Sequence, residues 1–592
     1  MSMALKSQFY NGLQMTFGKN RLQHYDFYWS YYRFDYFDVY FNEYGRNLAE
    51  YTAKVATEKV AEIEDYFDYI LEKRLIFIVY NLHQEQKQTN IGLVTGQEDY
   101  NIGGFNRTIK NKVMLYFEGD HEAYEQQIAA AITEVMINEM LYDAERRDRV
   151  PGSSQISLPD WYLKGLVNYI SRGWDYETDN MVRDGILTGR YEKLNFLEYD
   201  DAIYAGHSFW RYVAKKYGDP IIPNVIYLTK IYKNVDDGLM YVLGMKLKDI
   251  QKEWYAYYKE YYENIEKEQP LNEPGEKIHE TKKRRIILDV SISPDGRYVA
   301  YITYNWGKRK IWVHDTETGK REKVFSIEPK FEQLADVSYP VIAWHPSSEI
   351  LTFINEEKNA LKIYFHRISG GRTESRNLLY FDKVLDFDYS PNGNRLVMSA
   401  VKNGLTDIYV HTIAAGTNEQ VTRDVADDLN PRYMKADGRR IIFSSNRLND
   451  TLDIPFDPLA ETALTYDLFT YDLDKNDGLA IRLSEGRYEE RLQPLAGNNK
   501  DIYYLGDRSG TINKYLARFD STISYIDTTT HYRYFLRSEP ITAYNRNIIE
   551  HDNSGGQVAE IKYRDGKYQL HTGPVARQEP LPEEELITSP FR

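Results

Sequence analysis

The sequence predicts a multidomain chain in which an N-terminal α+β unit is followed by an all-β propeller of six blades, with seven blades as the alternative. Before residue 275, apolar residues recur with the period of an amphipathic helix, as at Val60, Ile63, Phe67 and Ile70. After it, short alternating runs lie between Gly, Asn, Asp and Pro, which is typical of strands joined by tight turns. A turn-and-strand pattern then repeats every 45 to 52 residues, which is the length of one four-stranded blade.

The composition excludes several kinds of site in this chain. The 592 residues include no Cys, which excludes disulfides, thiolate zinc sites, cysteine nucleophiles and iron–sulfur clusters. Lys and Arg number 74 against 89 Asp and Glu, and the formal net charge of -15 makes nucleic acid an unfavourable partner. Aromatic residues make up 14% of the chain, and their polar-tipped majority, 53 Tyr, suits half-exposed strands and contact surfaces.

Five segments are expected along the chain. The stretch 266–277, EKEQPLNEPGEK, is acidic and contains two Pro, as is typical of a linker. The expected segments are an N-terminal extension at 1–25, an α+β unit at 26–265, a linker at 266–280, a propeller at 281–575 and an acidic C-terminal tail at 576–592.

The first unit is expected to begin with strands and to continue as a helical bundle. Leu75–Tyr80, LIFIVY, is predicted as a buried strand, and 112–117, KVMLYF, as a strand closer to an edge. Gly103 and Gly104 allow a tight turn that would bring these two strands together. A helix is predicted at 127–142 because its apolar residues recur on one face.

The second unit repeats one turn followed by one strand. In that turn Pro sets φ at the entry, Asp or Asn caps it, and Gly takes the positive-φ position. The copies are SPDG at 293–296, SPNG at 390–393 and KADG at 435–438, with weaker ones at 345–348 and 497–500. Further strands follow at 310–315, 407–411 and 467–472, each leading into a hairpin turn, so every repeat holds an antiparallel meander.

A degenerate last copy at 541–570 completes the count of six blades. An insertion at 448–465 falls in the fourth blade. Because a propeller must close into a ring, we expect a strand just after the linker, at 284–288, to pair with the last blade.

The sequence SPDGRYVAY at 293–301 and its graded copies resemble the blades of TolB-type propellers. This resemblance covers about 300 residues. It implies a binding platform rather than a catalyst.

The first unit resembles the gluzincin-type, or peptidase MA-like, metallopeptidase domain. The similarity lies in the order of its strands, in the helix at 127–142, in LPDWYLKGL at 158–166 and in YAGHSF at 204–209. In active members the first helix bears H-E-x-x-H, whose two His bind zinc and whose Glu polarises water, and a W-x-x-E-G segment supplies a third ligand.

The residues that bind zinc in such enzymes are absent at the matching positions. Thr133 and Ile137 stand where the two His are expected, Lys164 stands at the carboxylate position, and of the motif Glu134 alone remains. An alkyl side chain has no lone pair and an ammonium group repels a cation. The resemblance therefore implies a pseudopeptidase without metal or cofactor, in which Tyr204, near the position that donates a hydroxyl to the oxyanion in active relatives, is idle.

Four residues near that site, His121, Glu125, His207 and Glu134, have side chains that could take part in metal binding or catalysis. His121 and Glu125 are an i, i+4 pair, but we expect them at a solvated helix start rather than at a metal. His207 lies on the helix that closes the cleft, and we expect it to be a core or rim histidine. Glu134 is expected to pair with Lys164 or with solvent.

The resemblances imply a non-catalytic binding or scaffolding protein, similar to Bacteroidota cell-envelope proteins that join these two modules. An extended peptide would add to the edge of the strand at 112–117, because strand addition needs backbone hydrogen bonds and no metal. The expected peptide-binding residues are Gly103, Gly104, Lys112, Met114 and Tyr116. An active peptidase with a rearranged site and a purely structural subunit of an outer-membrane assembly are the alternatives.

The expected location is the periplasm, in association with the outer membrane, with protein partners from an envelope assembly. No run approaches the ~18 apolar residues that span a bilayer, and residues 1–10 lack the apolar core of a secretory signal. Export would therefore require a signal that has been removed, with a short leader at 1–6 in its place. A cytoplasmic location is the alternative.

Overall fold

The computed structural model describes residues 26–86, 108–109, 111–142, 158–268, 275–328, 337–357, 360–434, 438–452, 457, 460–484, 489–497, 501–526 and 530–574. These residues form two compact units, built mainly from residues up to 267 and from 268 onward. Gly103, Gly104, the extension at 1–25 and the tail at 576–592 lie outside the described residues.

The first unit contains a mixed five-stranded sheet. Its strands are β1 (Ser30–Arg33), β2 (Phe37–Phe41), β3 (Leu75–Tyr80), β4 (Thr108–Ile109) and β5 (Lys112–Tyr116). They lie in the order β1-β2-β3-β5-β4, with β2, β3 and β5 parallel and the two outer strands antiparallel to their neighbours. The predicted strand at Leu75–Tyr80 is confirmed, and it is central and buried.

The predicted hairpin between β3 and β5 is wrong. The two strands pair in parallel, with Ile78 opposite Met114. A tight turn can join only antiparallel neighbours, whereas a parallel pair needs a longer crossover.

Helices form the rest of the first unit. They are α1 (Arg46–Phe67), α2 (His83–Gln86), α3 (His121–Leu141), α4 (Asp160–Ser171), α5 (Tyr176–Leu187), α6 (Tyr199–Tyr217), α7 (Ile221–Tyr232), α8 (Val235–Leu243) and α9 (Leu247–Glu268). Helix α1 connects the parallel strands β2 and β3 and packs against α3. It buries Val60, Ile63 and Phe67 as predicted, but Ile70 is exposed because the left-handed residue Asp68 ends the helix.

Two glycines set the distance between α4 and α6. A Cβ at Gly206 would lie 1.9 Å from the Trp161 carbonyl oxygen, and one at Gly165 would lie 2.4 Å from the Gly206 Cα. The backbones of the two helices are therefore in direct contact. Around this contact the tryptophans Trp161, Trp210 and Trp254 are fully buried. These three aromatic residues are thus core rather than contact surface.

The second unit is a six-bladed β-propeller. Its strands are β6 (Glu276–Glu280), β7 (Ile286–Ile292), β8 (Tyr298–Asn305), β9 (Lys308–Asp315), β10 (Arg321–Ile327), β11 (Val341–Trp344), β12 (Ile350–Glu357), β13 (Ala360–Arg367), β14 (Thr373–Leu378), β15 (Lys383–Tyr389), β16 (Arg395–Lys402), β17 (Leu405–Thr412), β18 (Thr417–Gln420), β19 (Asp428–Tyr433), β20 (Arg440–Ser445), β21 (Asp467–Asp472), β22 (Ile481–Arg482), β23 (Arg491–Ala496), β24 (Ile502–Gly506), β25 (Asn513–Ile526), β26 (Thr530–Pro540), β27 (Ile548–Ser554), β28 (Gln557–Arg564) and β29 (Lys567–Pro574).

Consecutive groups of four strands from β7 to β26 form the first five blades, and β27, β28, β29 and β6 form the sixth. The first strands of the blades, β7, β11, β15, β19, β23 and β27, contact one another in a ring. The prediction of six blades is confirmed and the alternative of seven is wrong for the described residues. The insertion at 448–465 lies between β20 and β21 of the fourth blade, as predicted.

The ring closes through β6, which pairs antiparallel with β29 and places His279 opposite Leu570. The predicted closing strand at 284–288 is wrong, because that segment leads into β7, the inner strand of the first blade. Strand β6 lies within the segment expected to be linker. Its charged sequence, EKIHE, lacks the apolar alternation by which strands are recognised.

The repeated turn has the geometry that its sequence implies. In the first copy Gly296 has φ +78°, and the Asp295 carboxylate accepts hydrogen bonds from the Ser293 hydroxyl and from the Arg297 backbone N–H. Gly393 has φ +74° in the second copy. Because each such turn leads out of an inner strand, the repeat fixes the start of the second strand in each blade.

None of the helices in the described part of the chain is both long and apolar enough to span a bilayer.

Replacing Gly206 with Ala is expected to destabilise the first unit by about 2 kcal/mol or more, because overpacking a core contact outweighs the gain in helix propensity. The measurement is the denaturant midpoint followed by the circular dichroism of helices, which belong to the first unit. Gly173→Ala is the matched control, since its Cβ would meet no atom within 4 Å. Equal midpoints for the two variants would contradict the close approach of α4 and α6.

Candidate functional site

Helix α3 carries the two positions that the sequence comparison matched to zinc-binding His residues, and both lie in the interior of the first unit. Thr133 and Ile137 are both buried, and Glu134 is exposed. The Thr133 hydroxyl donates a hydrogen bond of 2.8 Å to the Ala129 carbonyl of its own helix. The side chains at the two His positions are therefore part of the packed helix.

Lys164 and Tyr204 lie on the packed helices α4 and α6 but contact different acidic groups. The Lys164 ammonium lies 2.8 Å from the Asp160 carboxylate, and its side chain is 55% exposed. The Tyr204 hydroxyl donates a hydrogen bond of 2.7 Å to Glu177 on α5. Burial, followed by the charge of Glu177, raises the pKa of Tyr204 well above its usual value. Tyr204 therefore stays protonated, with its proton directed to a carboxylate.

His121 is the first residue of α3 and Glu125 lies one turn later, because the helix begins six residues earlier than the predicted residue 127. His121 is buried, with its ring against Tyr51 and Phe117. Glu125 accepts a hydrogen bond of 2.5 Å from the Tyr51 hydroxyl. The expectation of a solvated helix start is wrong for His121, because α1 covers this end of the helix.

His207 is a core residue, which agrees with one of the two expectations for it. Its Nδ1 atom lies 2.9 Å from the Asn168 amide nitrogen, and its ring packs edge-on against Tyr169 and Trp174. Burial, with the nearby Arg211, lowers the pKa of His207 to about 3. The imidazole is therefore neutral at physiological pH.

Strand β5 is not the edge strand that a bound peptide was expected to extend. Lys112 and Val113 pair with β4 on one side and with β3 on the other. Met114 and Tyr116 belong to a buried apolar cluster on the sheet face away from α3. Strand β4 already occupies the outer side of Lys112 and Val113, so a peptide could extend β5 only beyond these two residues, and the peptide-binding residues stay a prediction.

The axial channel of the propeller contains a cavity of about 680 Å³, lined by the inner strands of the blades. Sequence reasoning did not identify it. Asp289 and Asp386 each lie five residues before the Pro of a repeated turn, and this spacing is the sequence feature that could have indicated it.

Bulges direct polar side chains toward this cavity. Five of the six inner strands shift register near their start, in the intervals Ile287–Val290, Val384–Asp386, Leu429–Arg432, Leu492–Leu495 and Ile548–Glu550. Asn430 and Gln493, inside two of these bulges, both have φ +50°. A bulge re-aims a side chain that regular pairing would place between the blades.

Among the residues that the structure describes, the cavity is lined by five carboxylates and one arginine, and by no lysine. The acidic residues are Asp289, Asp386, Asp388, Glu550 and Asp552. Arg432 donates to the Asp386 carboxylate at 2.6 Å, and the Asn430 amide donates to the same oxygen at 3.0 Å. The guanidinium group of Arg432 therefore faces a channel with an excess of carboxylates.

Three of these carboxylates also join neighbouring blades. Asp552 accepts the Ile292 backbone N–H at 2.6 Å, Asp388 accepts that of Tyr433 at 2.9 Å, and Asp289 accepts that of Ile342 at 3.3 Å. Each bond runs from an inner strand to the next one in the ring. The bond to Asp289 is the longest of the three.

The channel makes ionisation of its acids unfavourable. Loss of solvation, followed by the charge of Asp386, raises the pKa of Asp289 to about 7. Loss of solvation and the charges of Asp289 and Asp386 raise the pKa of Glu550 well above its usual value. Both shifts favour the protonated forms of these acids, and a cation that binds beside them would favour the ionised forms.

No group of three or more His, Cys, Asp or Glu side chains in the described part of the chain is arranged to hold a metal ion.

The fold and the cavity define the second unit as a six-bladed propeller with an acidic axial channel. No protein-family model matches the chain. Among solved structures, the chain is similar to TolB from Acinetobacter baumannii, with a TM-score of 0.29 and 16% identity over 57% of this chain and 72% of that one.

Two further solved structures show similarity over about half of the chain. The structure of putative TolB from Agrobacterium tumefaciens has a TM-score of 0.31 and 15% identity over 50% of this chain and 93% of that one. The β-propeller domain of the Trilobed protease from Pyrococcus furiosus has a TM-score of 0.33 and 12% identity over 51% of this chain and 98% of that one. The assignment of the propeller itself rests on its strand topology.

Asp289→Asn is expected to flatten the pH dependence of propeller stability. Because the pKa of Asp289 is about 7 when folded and ~3.9 in an unfolded chain, the folded state binds the extra proton between these values. The stability that this proton gives the folded state is therefore complete below about pH 4 and is lost as pH rises through 7. Thermal unfolding of the β-sheet signal at pH 5 and pH 8 measures the difference.

The matched control is Glu374→Gln, which changes an exposed carboxylate on β14. This variant should keep the wild-type difference between the two pH values. If Asp289→Asn keeps it as well, Asp289 does not titrate in the channel as described.

Proposed function

We propose that this chain is a non-catalytic binding or scaffolding protein of the bacterial cell envelope. In this proposal the first unit is a gluzincin-like pseudopeptidase and the propeller is a TolB-like platform for protein partners. The observation that carries the proposal is the state of the three side chains at the ligand positions on α3 and α4.

Each of these side chains is unsuited to zinc. Zinc in proteins is bound by imidazole, thiolate or carboxylate groups. The Thr133 hydroxyl is engaged with the Ala129 carbonyl, and Ile137 has no lone pair. Lys164 is a cation paired with Asp160. This chemistry supports loss of hydrolysis with retention of the scaffold.

The remaining relic groups also lack a catalytic setting. Tyr204 donates its hydroxyl to Glu177, and in active relatives the equivalent group would have to be free to stabilise an oxyanion. Glu134 without its two His partners has no metal-bound water to polarise. Both observations support a binding role.

The propeller supports the binding role through its channel. Its cavity has a volume within the range of ligand-binding pockets, and polar groups converge on it from several blades. In the proposal its partners are proteins of a periplasmic or outer-membrane assembly. The repeated turns that resemble TolB blades are the reason for proposing the envelope.

Purified protein is expected to contain no stoichiometric zinc and to cleave no unfolded protein substrate. A triple variant, Thr133→His with Ile137→His and Lys164→Glu, should instead bind about one equivalent of zinc and melt at higher temperature in its presence, because a folded-state ligand stabilises. Elemental analysis and thermal unfolding measure the two effects.

The matched control, Thr133→His with Ile137→Leu and Lys164→Glu, lacks one ligand and should bind zinc far more weakly. Stoichiometric zinc in the unmodified protein would overturn the pseudopeptidase assignment. A triple variant that folds but binds no more zinc than its control would contradict the gluzincin-like geometry.

The binding role predicts a constant set of partners in the native envelope. After mild crosslinking, the tagged chain is expected in the periplasmic or outer-membrane fraction with the same proteins at constant stoichiometry. Quantitative mass spectrometry of the purified complexes measures this. A cytoplasmic location, or a varying set of unfolded proteins, would contradict the scaffolding proposal.

A further inference from the structure

We propose that the axial cavity of the propeller binds an organic cation with several N–H donors, a guanidinium or an alkylammonium group. The proposal deepens the binding role proposed for the propeller. It is independent of whether the first unit has lost its zinc site.

The net charge of the cavity favours a cation. The cavity walls carry five carboxylates and one guanidinium, and they are formed by packed β-strands of low polarisability. A concave surface with one sign of charge and low-dielectric walls concentrates the field and attracts ions of the opposite sign. Repulsion among these carboxylates raises the pKa values of Asp289 and Glu550, and a bound cation would relieve that repulsion.

A second observation, independent of the carboxylates, points to a ligand that donates hydrogen bonds. His551 lines the cavity and is 4% exposed. Its Nε2 atom lies 2.8 Å from the Gln493 carbonyl oxygen, which can only accept, so Nε2 carries the hydrogen. The Nδ1 atom is then an acceptor, and it has no hydrogen-bond partner among the described residues.

The Gln493 side chain adds another such acceptor. Its Nε2 atom donates to the Ile549 carbonyl at 3.1 Å, whereas its Oε1 atom is buried with no partner among the described residues. Leaving a buried polar atom without a partner is costly. Two buried acceptors beside the same cavity therefore favour a ligand rich in donors.

Two donors in the cavity, Arg432 and Asn430, are directed at the Asp386 carboxylate. The Arg432 guanidinium donates to Asp386 at 2.6 Å and to the Pro431 carbonyl at 2.9 Å. Asp388 and Asp552 each accept a backbone N–H from a neighbouring blade. Asp289, with its long bond of 3.3 Å, and Glu550 are thus the carboxylates best able to accept from a ligand.

The volume of the cavity favours a cation on an organic carrier over a bare ion. At about 680 Å³ it lies in the range of small-molecule sites. Its wall also includes apolar side chains, among them Ile292, Val341 and Trp344. An aliphatic stem can pack along such a wall while its charged end reaches the carboxylates.

The acceptors lie on the inner strands of the ring, each of which is paired within its blade and contacts the inner strands of neighbouring blades. Groups fixed by a packed sheet lose little freedom when a ligand binds. This arrangement is expected of a preformed site.

The test is isothermal titration of the full chain with N-acetyl-arginine amide, with a short peptide carrying one central Arg, and with the citrulline analogue of each. Citrulline has nearly the same shape but no charge. We expect the arginine ligands to bind at least tenfold more tightly than their citrulline analogues, as for hydrogen bonds to a charged group. Binding of the free amide indicates a small-molecule source, and binding of the peptide alone indicates a protein source. Both results support the cation site.

Glu550→Gln and Asp289→Asn are each expected to weaken binding about tenfold. The matched control is Asp407→Asn, since Asp407 is a buried carboxylate of β17 that does not line the cavity. Thermal unfolding confirms that each variant is folded, and two separate variants guard against the failure of one to fold.

Three results would overturn the proposal. The first is equal affinity for the arginine ligands and their citrulline analogues. The second is an unchanged affinity for the arginine ligands in both folded variants, Glu550→Gln and Asp289→Asn. The third is that the protein binds calcium ions but none of the arginine ligands. None of these results depends on the zinc content of the first unit. The cation site and the pseudopeptidase can therefore fail separately.

Discussion

The pairing of β6 with β29 is the contact on which the second unit depends. It gives the sixth blade its fourth strand and joins the start of the unit to its last blade. Glu280 accepts hydrogen bonds from Lys567 and Gln569, and the Thr281 backbone N–H donates to the Tyr568 carbonyl. Ile278 adds an apolar contact to the core shared by the first and last blades. The axial cavity exists because this seam holds six inner strands in one ring.

The channel places acidic groups where their charges are unfavourable. Burial and mutual repulsion shift Asp289 and Glu550 toward their neutral forms. Asp388 and Asp552 accept hydrogen bonds from backbone N–H groups of adjacent blades. These bonds connect the inner strands and so offset part of the cost of burying the acids. The same row of acids therefore contributes to blade packing at some positions and lowers stability at others, as is common at binding sites.

The blade count followed from the sequence because each copy of the turn is local, and Pro, Asp and Gly each have a positional reason to be there. The closing strand β6 could not be predicted in this way, because its sequence EKIHE has a single apolar residue and its partner strand lies almost 300 residues away. The cavity could not be predicted from the residue pattern either, because a bulge changes the direction of a side chain without changing the pattern of residues around it. In the first unit, periodicity identified the buried faces of α1 and α3. It could not show that β3 and β5 are parallel, because strand direction depends on a crossover rather than on either strand.

The position of β6 has a mechanical consequence for a protein proposed to work in an envelope assembly. Any tension applied through the chain from the first unit reaches β6 before it reaches another strand of the propeller. Under such tension the load falls on the hydrogen bonds between β6 and β29. These bonds belong to the sixth blade, whose inner strand β27 carries Glu550 and Asp552 of the channel.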